Sequence, residues 1–352
     1  MVTVTNAHFV GSINQPDVES VFRAVAEHIG GRARRIPDGE VGERFYWIQF
    51  QTFRLEETPG LVRVGEELPF RIRDIFDLRP FALDGTVAAA DLQFPNLGYA
   101  DAAIQSFAEF AALRDEGVIP AGVRFQVSLP TPVGVVGAFI VPDDRAAVEP
   151  AYENALFAEV GRIVEAIPHE DLAIQWDAAV EFGILDRAEF GGVPFSAGWG
   201  GDLLGGVIDR AVRQIAVVPD DVQVGFHLCY GDVEEEHFIQ PKDSGTLASV
   251  IRGIVAAAPR TVSWFHLPVP IERDDSAYFA PLADLDLPDD TELELGLLHH
   301  EDGVDGAERR ITAAATVLDR FGVGTECGFG RGPAERTAPL LDLHAAVVDA
   351  HS

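Results

Sequence analysis

Short apolar runs recur along the chain, separated by longer stretches in which apolar residues return every three or four positions. The runs predict strands at 6–11, 33–37, 123–129, 172–177, 222–228, 261–267, 292–298 and 322–326. The amphipathic stretches between them predict helices at 16–29, 40–57, 148–166, 201–216, 245–257 and 306–320, with 334–349 closing the chain. Asp17 after Pro16, and Asp305 before GAERRITAAATVLDRF, fit the preference for a short acceptor side chain at a helix start. Residues 59–101 break the alternation and read as an insertion, with a hairpin in LVRVGEELPFRIRDIF. Strand–helix units repeated in this way predict a (β/α)8 TIM barrel, one domain over 1–352. A doubly wound open sheet is the alternative, but no GxGxxG follows the first strand.

Composition narrows the class. Hydrophobic residues make up 47% of the chain, with 34 glycines and 22 prolines, as in an ordered, loop-rich protein with a large core. Two cysteines do not make a disulfide framework and suit a reducing compartment. The opening MVTVTNAHFVGS lacks a basic stretch leading into a long apolar one, and no apolar run is long enough to span a bilayer, so a cytoplasmic protein is expected. The formal net charge is −31, and Lys242 is the only lysine. Such a surface repels phosphate backbones and anionic lipid, which argues against nucleic-acid and membrane partners. The Glu run at 234–236 reads as a solvated loop.

The polar residues at the strand ends carry the chemistry. They are Gly11-Ser12, Asp38-Gly39-Glu40, Ser128, Asp177, His227-x-Cys229, His266, His299-His300 and Glu326-Cys327. A parallel barrel brings all its strand ends to one face, so these side chains are expected to converge there. Imidazole and thiolate suit zinc, and three protein ligands with a vacant position suit a catalytic ion. Trp47, Phe50 and Phe53, spaced three apart after Glu40, read as one buried helix face.

In order along the chain, HFVGSINQP, PDGEVGER, SLPTPVGV, AIQWDAAVE, HLCYGD and ECGFGR resemble the motifs of the C-terminal catalytic barrel of cobalamin-independent methionine synthase. That barrel belongs to a superfamily that also holds uroporphyrinogen decarboxylase. The resemblance runs from about residue 6 to about residue 333, and its specific part is the HxCY and CG pair. It implies that His227, Cys229 and Cys327 bind Zn2+ and that the ion activates a thiol substrate as its thiolate. By the same resemblance Ser12 contacts the carboxylate of an amino-acid substrate and Glu40 and Asp177 hold its ammonium group. One of His299 and His300 protonates the leaving group.

Three departures bear on the reaction. The family's fourth ligand, a glutamate on the sixth strand, is replaced by SWFHLPV, so that His266, or else Glu272 or Asp232, is left to complete the set. The fourth-strand Asp-Glu-Pro becomes Asp177-Ala178-Ala179. The family's folate-stacking tryptophan has no counterpart in VVGAFIVPDD, where Phe139 is the nearest aromatic. These leave the methyl or alkyl donor open, and a relative such as the zinc-dependent epoxyalkane:coenzyme M transferases fits as well as methyl transfer to homocysteine. Two other readings stand beside them. One is a metal-free decarboxylase or lyase using Arg34 and Arg35; the other is a non-catalytic barrel that binds a thiol or amino acid.

Overall fold

The computed structural model describes residues 2–69, 75–190, 192–232 and 237–352. Eight parallel strands form one curled sheet: β1 (Thr3–Ala7), β2 (Arg35–Pro37), β3 (Arg124–Pro130), β4 (Leu172–Ala178), β5 (Gln223–Leu228), β6 (Trp264–Pro268), β7 (Glu292–Leu298) and β8 (Arg320–Thr325). Each pairs with its sequence neighbour from β2 to β8, and β8 pairs with β1. Parallel bridges Ala7–Ala33 and Ser12–Gly39 link β1 to β2 and close the ring. The architecture is the expected (β/α)8 barrel, and every strand points its C-terminal end to the same face.

Helices wrap the outside, and several bury a clear apolar stripe. Val18–Ile29 is capped by Asp17, whose side chain accepts from the Ser20 N–H, and it buries Val21, Phe22, Val25 and Ile29. Leu203–Ala216, Gly245–Ala257 and Thr337–His351 follow their expected positions within a few residues. The helix expected to start at Asp305 begins earlier, over Gly303–Ala314, with Asp302 as its first-turn boundary. Among the described residues no helix is long and apolar enough to cross a membrane. The run at 234–236 lies outside the described residues.

Two expectations fail for identifiable reasons. The first strand ends at Ala7 instead of Gly11, because side chains capture the backbone beyond it. Gln126 donates to the Phe9 and Val10 carbonyls at 2.8 and 3.0 Å, and Gln175 and Ser128 donate to Val10 at 2.6 and 2.8 Å. The helix expected over 40–57 is broken into a 3-10 turn, Gly42–Tyr46, and a short helix, Gln51–Glu56. Trp47 between them sits at φ 55°, a left-handed conformation that ends a helix and is unusual for a bulky residue. A helix over Tyr99–Asp115 was not expected at all.

The insertion does contain a hairpin, but its strands are Leu61–Arg63 and Phe81–Leu83, with the middle of the anticipated segment outside the described residues. It docks on the barrel where Phe81 bridges Ile140 and the Leu83 N–H donates to Asp144 at 2.8 Å.

The barrel interior is more polar than an aliphatic-layered core. Near its floor the fully buried Arg35 pairs with Glu292 and Glu294 and lies 4.1 Å over the Trp264 ring. Asn6 donates to Glu294 at 3.0 Å, and the Trp264 indole donates to Gln175 at 3.2 Å. Gly225 makes room for that indole, since a Cβ there would lie 2.0 Å from the ring.

Candidate metal centre

The ends of β5 and β8 bring the soft ligands together. His227, Cys229 and Cys327 each offer a ligand atom, and these atoms all lie within 4.8 Å of one another. Backbone bonds hold them. The Cys229 N–H donates to the Ala178 carbonyl of β4 at 2.8 Å, and Thr325 donates from its hydroxyl to the Cys327 carbonyl at 2.6 Å. Arg331, four residues after Cys327, spans to Asp232, three after Cys229, at 2.5 Å and clasps the two loops. His227 Nε2 is buried with no hydrogen-bond partner, which costs free energy unless something accepts its lone pair or proton.

Electrostatics show what the ligands lack. The Cys327 thiol is pushed well above its ordinary range, first by a hydrogen bond with Cys229, then by burial and by Asp232. Burial pushes His227 well down. A dication reverses the thiol shift, because it favours thiolate over thiol. Buried imidazole and paired thiols with an unpartnered nitrogen therefore fit zinc.

His266 does not join this group. Its Nδ1 lies 2.8 Å from His227 Nδ1, and burial pushes it down to about 3. Asp232 is engaged by Arg331, and Glu272 is likewise outside the group.

The remaining strand-end residues lie at the same end of the barrel, most of them buried. Glu40 is buried in a left-handed conformation, φ 51°, with its carboxyl packed against Gly11, where a Cβ would lie 3.1 Å away. Burial, with Asp38 adding and Arg44 opposing, raises Glu40 to about 7. Asp177 rises well above its usual range through burial and through Glu40 nearby, while Gln175, donating at 2.8 Å, opposes. Ser12 is buried, and its hydroxyl accepts from the Gly330 N–H at 3.2 Å. The adjacent histidines part company. His299 is buried, bonded through Nε2 to the Val269 carbonyl at 2.9 Å, with Nδ1 3.8 Å from Glu326. His300 turns outward to Glu301 at 3.0 Å. Buried Arg310 holds this strand end by donating to Leu297 and Ile271 carbonyls and to Asp302.

Three residues at the site were not assigned to it from sequence, and Trp47, expected on one helix face with Phe50 and Phe53, instead sits at the left-handed break before the short helix. Trp47 lies beside Asp177 and close to Gly134, with its indole N–H buried. His237 places Nε2 3.6 Å from Glu326. Arg331 is the clasp just described. The left-handed Trp47 and the fold-back of the β5 loop left no local pattern to read; Arg331 was visible only as the end of ECGFGR.

Two expected results follow from this geometry. Glu40 is held near 7 against an ordinary 4.5, so its protonated form stabilises the fold below about 4.5 and that contribution is lost as pH rises through about 7. Glu40→Gln should therefore melt higher than the wild type at pH 8, by up to about 3 kcal/mol, and no higher at pH 5. Thermal melts at the two values without substrate check this; an equal shift at both would contradict it. A Cβ at Gly328 would fall 2.3 Å from Ser12 Oγ and 2.8 Å from Ser12 N. Gly328→Ala should thus displace the Cys327 loop, costing about 1–3 kcal/mol and weakening metal retention, as read by melting and by metal analysis.

Comparison with known proteins agrees on the fold. No protein-family model matches the chain, and no curated protein matches it. Among solved structures, a B12-independent methionine synthase from Shewanella sp. W3-18-1, in complex with selenomethionine, superposes with a TM-score of 0.59 at 13% identity, over 99% of this chain and 97% of that one. A Listeria monocytogenes protein described as a vitamin-B12-independent methionine synthase gives 0.56 at 14% identity, over 99% of both chains. The chain has the barrel fold of B12-independent methionine synthases along essentially its whole length, as the motif resemblance implied.

Proposed function

We propose that the protein is a zinc-dependent thiol methyl- or alkyltransferase. The observation that carries the reading is the group of buried His227 and Cys229 with half-buried Cys327, its imidazole nitrogen unpartnered, at the strand-end face of a methionine synthase-type barrel. Zinc held there would lower the pKa of a thiol beside it and so supply a nucleophile at neutral pH.

The chain's own residues do the rest. Glu40 and Asp177, both held toward the neutral form by burial, ionise when an ammonium group enters between them. Ser12, fixed by the Gly330 N–H, offers its hydroxyl to the carboxylate of the same substrate. His299 donates through Nε2 to Val269, which leaves Nδ1 facing Glu326. Burial raises the Glu326 carboxyl well above its ordinary range, which favours a proton on this pair for a leaving group. In the overall reaction a sulfur–carbon bond forms, the donor's bond to that carbon breaks, and its electrons leave with the donor. The selenomethionine held by the Shewanella protein supports an amino-acid thiol such as homocysteine as acceptor.

Nothing at the site favours the lyase reading. Arg35 is spent on Glu292 and Glu294 at the barrel floor, and Arg34 pairs with Glu292 at the same end. The test is turnover. Zinc-loaded protein is given homocysteine or coenzyme M with methyl-folate, sulfonium or epoxide donors, and the thioether is read by mass spectrometry. A thioether lost in Cys327→Ser supports the proposal; a bound thiol never alkylated by any donor would favour a non-catalytic binding barrel.

A further inference from the structure

At the β6 position where the family resemblance puts a glutamate ligand, this chain carries His266, whose Nδ1 is already engaged and whose Nε2 is buried without a hydrogen-bond partner. His266 and His227 are register partners in the parallel β5–β6 ladder, so their side chains stand next to each other inside the barrel. Their Nδ1 atoms lie 2.8 Å apart, a hydrogen bond in which one ring donates and the other accepts. The far nitrogen of His266 is turned against β8, where a Cβ at Gly324 would lie 3.4 Å from it. His8 stacks on the same ring, centroids 5.0 Å apart at 26°, which holds its plane. His266 is fully buried and stands outside the group that can share an ion.

Hydrogen counting then decides the roles. His227 Nδ1 is engaged, so the nitrogen left for a metal is Nε2, which is buried and unpartnered. A neutral imidazole with a bare Nε2 carries its hydrogen on Nδ1 and must donate there. We propose that His266 is a positioning residue and not a ligand: it accepts the His227 Nδ1–H, selects the tautomer that presents Nε2, and leaves the ion three protein donors. A tetrahedral ion then keeps one position for the substrate without shedding a protein ligand. The inference rests on the metal reading above, but it can fail separately from it.

X-ray absorption at the zinc edge of reconstituted wild type tests it without any mutation. The expected donor set is two sulfurs, one imidazole and a light non-protein donor. Two imidazoles would overturn this inference alone; protein that takes up no zinc would overturn it together with the metal centre itself. Chelator competition on variants gives the second measurement. His266→Leu should lose zinc affinity by about 10- to 100-fold while keeping the same donor set, the scale typical of an orienting partner. His266→Gln, whose amide oxygen can accept the same hydrogen, should recover part of it. Wild-type affinity in His266→Leu, or a spectrum showing one imidazole fewer than in the wild type, would contradict the proposal.

Discussion

Cys229→Ser and Cys327→Ser are each expected to reduce bound zinc from about one ion per chain to a small fraction after dialysis, since thiolate is the soft donor that holds the ion. The two thiols come from strands on different parts of the ring and meet within 4.8 Å of each other and of the His227 nitrogen. Removing either leaves one thiolate and one imidazole, too few for retention. The effect should extend to stability, because an ion that binds only the folded chain stabilises it by about 4 kcal/mol at a thousandfold excess over its Kd. Wild type should thus melt higher with zinc than without, and the serine variants should show little difference. Metal analysis and paired melts provide the check. Zinc retained in both variants would place the ion elsewhere.

The second large effect concerns the proton. His299→Gln should lower kcat by about 10²- to 10⁴-fold, the usual contribution of a positioned acid or base, and His300→Gln should stay near wild type. The contrast comes from neighbours in sequence with opposite surroundings. His299 is buried, fixed by Val269 and faces Glu326, and burial pushes it down to about 4. His300 pairs with Glu301 outside. Steady-state rates on the donor that turns over decide it; equal losses in both variants would mean that the strand end, not the imidazole, is what matters.

Much of this was legible from sequence, for physical reasons. Short segments dominated by apolar residues mark the buried strands even where a charged residue interrupts them, and β7, ELELGLL, matches its expected range at Glu292–Leu298. Polar residues ending such runs mark the barrel face, which is why His227, Cys229 and Cys327 could be grouped across nearly a hundred residues. What escaped depends on long-range contacts. The early end of β1 is imposed by Gln126 and Gln175 from other strands, and the break at Trp47 by a left-handed residue with no local glycine signal. The helix Tyr99–Asp115 is rich in alanine and shows little one-sided periodicity, so it merged into the insertion. The role of His266 could not be read either, because a histidine ligand and a histidine that orients a ligand look alike in one dimension.

The group of His227, Cys229 and Cys327 is proposed to hold an ion that receives a thiol. Cobalt-substituted protein tests this most directly, since sulfur-to-cobalt charge-transfer absorption grows with each thiolate bound. The expected spectrum is that of two thiolates, and it gains intensity, saturably, when homocysteine or another substrate thiol is added. Cobalt bound with no response to any thiol, or no cobalt bound at all, would contradict it.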